Sequence, residues 1–169
     1  MLKLLLTIIF SVVCFFSETY AVSLEMSKRQ LDYARKSYRN GEHAHCLLLT
    51  NRIIDSYSSN HDIQHKDSLV LMQTFFLCGS SNIAIGSEKR GLQQLQLASG
   101  YAKGLGDDKF LAQIYNSLFY VYYNTLDFAQ AQELLSLAIE LSSRNGDVGY
   151  LTRLYNNKGL TFYAQGKYA

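Results

Sequence analysis

The residues whose chemistry depends on spacing are few: four histidines, three cysteines and one glycine pair. His43 and His45 are two apart, which turns them to different sides of a helix. His61 and His65 are four apart and share a face if that stretch is helical, as a two-ligand metal site requires, but Asn60, Asp62 and the serines around them read as a loop. Two imidazoles without a third ligand hold a metal weakly, so no metal site is expected. Gly104-x-Gly106 follows a helical pattern rather than a strand and has no Lys-Ser or Lys-Thr after it, which argues against a phosphate cradle. Serines and aspartates are plentiful, yet no local context makes one a nucleophile or a base. The sequence therefore predicts no catalytic residue, no cofactor and no enzyme.

Other residues suit binding. Lys28, Arg35 and Arg39 stand at i, i+7 and i+11, so all three project from one face of one helix. Such a stripe can hold a carboxylate or an acidic peptide through charge-assisted hydrogen bonds, and its plainer alternative is a solvated face on an end helix. Asn116 and Asn156 stand forty residues apart, and a row of amides can pair with the backbone of an extended peptide. Tyr120, Tyr123 and Tyr163 add rigid surface with a polar tip.

The elements that must carry these residues are helices. The chain has 169 residues, 48% hydrophobic and 18% charged, with no proline, which permits a buried core and long uninterrupted helices. A net charge of +2 is too small to argue for nucleic acid. At the N-terminus Lys3 precedes thirteen uncharged residues, Leu4 to Phe16, and then a polar stretch ending Thr19-Tyr20-Ala21. That order is a secretory signal, cleaved after Ala21. The apolar run spans about 20 Å as a helix, short of the roughly 30 Å of a bilayer core, so a permanent anchor is the weaker reading. Export to a periplasmic or extracellular compartment is expected. Cys46 and Cys78 then remain, and in an oxidising compartment the pair suggests a disulfide. We favour the plainer reading of two small buried residues.

The mature chain, 22–169, repeats with a shift of forty. Gly106, Asp107, Phe110, Leu111, Ile114, Tyr115 and Asn116 reappear as Gly146, Asp147, Tyr150, Leu151, Leu154, Tyr155 and Asn156. The same shift pairs Tyr122 with Phe162 and, moving backwards, finds Asp67, Phe75, Cys78, Gly79, Gly86, Leu95 and Ala98. In the best copy Leu111, Ile114, Tyr115, Leu118 and Tyr122 form one apolar helical stripe, Leu126-Asp127 turns, and Ala131, Leu134, Leu135, Ala138 and Leu141 form another. An antiparallel helix pair cannot bury both apolar faces alone, so neighbouring pairs stack.

These residues resemble the tetratricopeptide repeat. Tyr115, Leu118, Tyr122, Phe128, Ala131, Leu135 and Ala138 match its pattern, as do Tyr155, Gly159, Phe162, Gly166 and Tyr168, and more loosely Phe75, Cys78, Gly79, Gly86, Leu95 and Ala98. A degenerate first unit carries Tyr33, Ala34, Gly41, Cys46 and Ile53. Lys158 stands where Leu is usual and Gly91 where Ala is usual, and the forty-residue period exceeds the family's usual length of about 34. The resemblance implies an all-α fold, antiparallel helix pairs stacked into a right-handed superhelical solenoid of about three and a half repeats. The repeats fall near 27–66, 72–111, 112–151 and 152–169, the last incomplete.

The resemblance also implies a concave groove lined by the first helix of each pair. Carried over by register, its binding residues are Lys28, Arg35 and Arg39, then Asn116, Tyr120, Tyr123 and Asn124, then Arg153, Asn156 and Tyr163. Tyr115, Phe119 and Tyr122 fall at core positions. The implied partner is a protein or peptide in the groove, with no nucleic acid, and with membrane contact only through a transmembrane helix further along a longer chain. The incomplete fourth unit would leave Leu154, Leu160 and Phe162 partly uncovered, a place for self-association or for the rest of a longer protein. The functional expectation is an exported interaction module, the sensor ectodomain of a bacterial regulator, with an envelope scaffolding adaptor as the alternative.

Overall fold

The computed structural model describes residues 23–58 and 65–166. Within them lie seven helices and no strand: α1 (23–39), α2 (His43–Ser58), α3 (His65–Ala84), α4 (Glu88–Leu105), α5 (Asp108–Asn124), α6 (Phe128–Arg144) and α7 (Val148–Ala164). The segment read as an export signal, His61, and Lys167 to Ala169 lie outside the described residues. No helix among the described residues is long and apolar enough to cross a membrane.

One turn, used repeatedly, sets this order. The backbone reaches positive φ at Gly41, Gly86, Gly106, Leu126, Gly146 and Gly166, and from 86 onward these positions are twenty residues apart. At Gly106 the amide donates to the Lys103 carbonyl at 3.1 Å, and the next amide, of Asp107, donates to Ala102 at 3.0 Å. This pair of bonds closes the orphan carbonyls of a helix end and needs a left-handed residue between them. The following residue starts the next helix: the Asp107, Asp127 and Asp147 side chains accept from the amides of Phe110, Gln130 and Tyr150 at 2.9, 3.2 and 3.2 Å. Each such cap is worth about 1 kcal/mol. Gly104 remains inside α4.

The helices pack in chain order, most extensively α3 on α4 and α5 on α6, consistent with a helical-repeat fold. The bounds 72–111 and 112–151 read from the sequence start inside α3 and α5, because self-similarity marks a period and leaves its phase open. One core cluster runs through α3 to α7, from Leu71 and Phe75 through Leu95, Ile114, Phe119 and Leu135 to Leu154. A second joins α1 and α2 to α3 through Leu31, Ala34, Cys46, Ile53, Val70 and Leu77. Cys46 and Cys78 are buried free thiols, and burial pushes both thiol pKa values up.

Gly91 has a packing reason. A Cβ there would stand 2.5 Å from an Ile83 side-chain carbon, and one on Gly79 would stand 2.9 Å from the Gly91 carbonyl oxygen. The α3 and α4 backbones meet at these two glycines, and alanine would not fit without a shift. Leu154 is fully buried, unlike the partial exposure expected of it, because α7 turns that residue onto the core shared with α5 and α6. Leu160 and Phe162 are exposed at 44% and 39%.

Candidate functional site

The odd-numbered helices touch one another directly. Arg35 Nη2 of α1 donates to Gln73 Oε1 of α3 at 2.7 Å. The Phe76 ring of α3 meets Phe110 of α5 edge-on, with centroids 5.1 Å apart. Asn157 Nδ2 of α7 donates to Asn116 Oδ1 of α5 at 2.7 Å, and the Tyr120 hydroxyl donates to Asn157 Oδ1 at 3.1 Å. These contacts align α1, α3, α5 and α7 along one face.

The α5–α7 contact is the most organised polar cluster on that face. Asn116 and Asn157 are both buried. Burial pushes the Tyr150 phenol up to about 12, opposed by the positive charge of Arg153, whose guanidinium lies 5.7 Å from the Tyr150 ring centroid. Arg153 is exposed, and Tyr120 keeps 40% of its surface in water while its hydroxyl is held. The buried amides are satisfied by one another, as buried polar groups must be, and they fix Tyr120 in place. Chemically this is a rigid aromatic and cationic surface on a hydrogen-bonded base. It has no nucleophile activated by a base.

The residues predicted from sequence divide accordingly. Asn116, Tyr120 and Arg153 are brought together. Asn156 is not: it is exposed, and its neighbour Asn157 takes the inward position. The reason is the packed stripe of α7, Leu154, Asn157 and Thr161, at i, i+3 and i+7. The exposed amide row of Asn116 and Asn156 is therefore replaced by a buried Asn116–Asn157 pair. Tyr123 is half-buried between Phe119 and Phe128, at 5.5 and 5.9 Å between centroids, and is a packing residue. Asn124 lies exposed at the end of α5 and Tyr163 is exposed near the end of α7. Tyr150 and Asn157 escaped the sequence reading, although a polar residue inside the Leu154–Thr161 stripe is a visible signal of a buried amide.

On α1 the basic stripe is only partly available. Lys28 and Arg39 are exposed, whereas Arg35 is committed to Gln73 and, at 2.6 Å, to Asp32 Oδ1. Two hollows open elsewhere on the surface. One of about 440 Å³ lies along α4 between Gln96, Gly100, Tyr101 and Gly104. The other, of about 590 Å³, lies between the α5–α6 turn and Gln165. Among the described residues no three His, Cys, Asp or Glu side chains are grouped to hold a metal ion.

No protein-family profile matches the sequence, and no curated protein matches it. A solved structure, that of BtubC (BKLC) from P. vanneervenii, is similar to it in fold, with a TM-score of 0.64 over 85% of this chain at 16% identity. This chain covers 65% of that protein, and the likeness extends to the fold alone.

Proposed function

We propose that this chain is an exported tetratricopeptide-repeat module that binds an extended segment of a protein or peptide across the face of α1, α3, α5 and α7. The repeat identity is supported by the even spacing of left-handed turns from Gly86 to Gly166 and by the recurring apolar stripes. The binding reading rests on one observation: Tyr120 is held by the buried Asn157–Asn116 pair yet remains 40% exposed, beside an exposed Arg153. Rigid aromatic surface next to a guanidinium is the composition enriched at protein interfaces, because little side-chain entropy is lost on binding.

The test is site-specific photo-crosslinking in the producing cells. A benzophenone amino acid at Tyr120 or Arg153 is expected to capture a discrete partner, and the same probe at Lys89 on α4 is expected to capture none. Equal capture at all three positions, or none at any, rejects this face. Mass spectrometry of the mature N-terminus tests export: a start at Val22 supports it and an intact Met1 refutes cleavage. The sensor reading, an ectodomain of a larger regulator, requires a coding sequence that runs past Ala169 into a transmembrane span and a cytoplasmic domain.

A further inference from the structure

Three contacts fix how the odd-numbered helices are staggered along their shared face: Arg35 on Gln73, Phe76 on Phe110, and Asn116 on Asn157. One turn beyond Arg35 on α1 is Arg39, and one turn beyond Gln73 on α3 is Phe76. One turn beyond Phe110 on α5 is Gln113, level with Arg153, which lies one turn before Asn157 on α7. To within one helical turn, Arg39, Phe76, Phe110 and Arg153 therefore form a single row across the four helices. Tyr120 stands at the Arg153 end, its hydroxyl held by Asn157. Lys28 lies outside the row, about 16 Å from Arg39 along α1.

The ends and the middle of this row differ in chemistry. Each carboxylate carried by α1, α3, α5 and α7 is engaged: Glu25 with Arg29 at 3.5 Å, Asp32 with Arg35 at 2.6 Å, Asp67 with the Tyr57 hydroxyl at 3.0 Å, and Asp108 with Arg144 at 3.3 Å. The carboxylates in the turns nearest the two ends are engaged as well. Glu42 accepts from the Asn40 side-chain amide at 3.2 Å, and Asp147 pairs with Lys109 at 3.4 Å. Arg39 and Arg153 are exposed, and neither has a carboxylate within 4.0 Å among the described residues. Between them the Phe76 and Phe110 rings, both half-buried, meet edge-on and form an uncharged strip. Two guanidinium groups thus bracket an aromatic strip, and both lack the anion that the fold supplies to Arg29, Arg35 and Arg144.

Resting on the peptide-binding reading above, we propose that the segment bound across this face is an extended peptide that is acidic at both ends and apolar between. One carboxylate meets Arg39, apolar side chains cover Phe76 and Phe110, and a second carboxylate meets Arg153 beside Tyr120. The spacing of the two acids follows from helix dimensions. Neighbouring axes in such a row lie about 10 Å apart, so the steps from α1 to α7 span about 30 Å, which an extended chain covers in about nine residues. Carboxylate on guanidinium is the charge-assisted contact that fixes the register of the segment, and the aromatic strip keeps charge out of its middle.

The experiment titrates the full chain, by calorimetry, with synthetic peptides of about ten residues, capped at both ends, that carry a glutamate at each end and leucines at the centre. Saturable binding is expected, weakened about tenfold by glutamine in place of either glutamate and about tenfold by Arg39→Gln, Arg153→Gln or Tyr120→Ala in the protein. Halving the distance between the glutamates should weaken it as much, and Lys89→Gln on α4 should leave it unchanged. A glutamine-ended peptide that binds as tightly, still through Tyr120, overturns the acidic assignment and leaves the binding face standing. Equal loss with Lys89→Gln, or indifference to the glutamate spacing, reduces the effect to general charge attraction and overturns the proposal. Absence of saturable binding overturns it too, and the photo-crosslink at Tyr120 then judges the face separately: capture of a partner keeps it, and no capture rejects both.

Discussion

The buried pair of asparagines makes the sharpest claim at the scale of single residues. Asn157→Leu removes the donor to Asn116 and the acceptor for the Tyr120 hydroxyl, leaving a buried carbonyl oxygen without its partner. The expected loss of stability is about 2–3 kcal/mol, while the neighbouring change Asn156→Ala, on an exposed side chain, stays within about 0.5 kcal/mol. Urea unfolding of the two variants decides which asparagine faces inward. Tyr150 makes a second claim through its raised pKa of about 12. Below pH 10 the phenol is protonated in both folded and unfolded chains and contributes no pH dependence. Between about 10 and 12 the unfolded chain loses the proton first, so stability falls as pH rises through that window. Solvent screening at this half-buried ring limits the loss to about 2 kcal/mol. Tyr150→Phe should flatten the fall by that amount in denaturant midpoints measured from pH 9 to 12, and parallel curves would contradict the assignment.

At the scale of elements, the turns explain both what the sequence made visible and what it hid. Forty-residue self-similarity was legible because Gly106-Asp107 and Gly146-Asp147 are the same helix stop and start. The twenty-residue period beneath it was not, because Leu126 occupies a left-handed position, φ +63, that every other described turn gives to glycine. A Cβ at such a backbone costs about 1–2 kcal/mol, and glycine returns part of that gain in unfolded-chain entropy. Leu126 is 71% exposed, so little burial is lost. Leu126→Gly should therefore stabilise the protein by about 0.5–1 kcal/mol in chemical unfolding. The opposite holds where glycine is needed for closeness. Gly91→Ala places a methyl against Ile83 and should cost about 1–3 kcal/mol, and a value near zero would mean that α3 and α4 do not meet there. The rotation of α7 was the element-level feature the sequence left open. Asn156 and Asn157 both satisfy a helical pattern, and only the packing of Leu154 and Thr161 against α5 and α6 chooses between them.

The described residues form a row of helices in which each meets mainly its neighbours, and stability should be graded along that row. The helices α3 to α6 share one continuous core, with α4 and α5 flanked on both sides. At one end α1 and α2 form a smaller cluster that reaches α3 through Val70 and Leu77. At the other, α7 packs on α6, touches α5 through its asparagine, and leaves Tyr155, Leu160 and Phe162 in water. Local opening free energy follows buried apolar contact, so amide exchange should be slowest in α4 and α5 and at least tenfold faster in α7. Leu154 is the side chain that anchors α7 to the common core. Leu154→Ala should cost about 2–4 kcal/mol locally, raising exchange throughout Val148–Ala164 while α1 to α4 keep their wild-type rates. Peptide-resolved hydrogen exchange measures both. If the seven helices exchanged at one common rate and Leu154→Ala accelerated all of them, the chain would open as a single cooperative unit. The exposed side of α7 would then belong to a rigid body. With graded exchange, opening of α7 is felt first in α5 through the Asn116–Asn157 bond, which couples the edge of the row to the face that carries Tyr120.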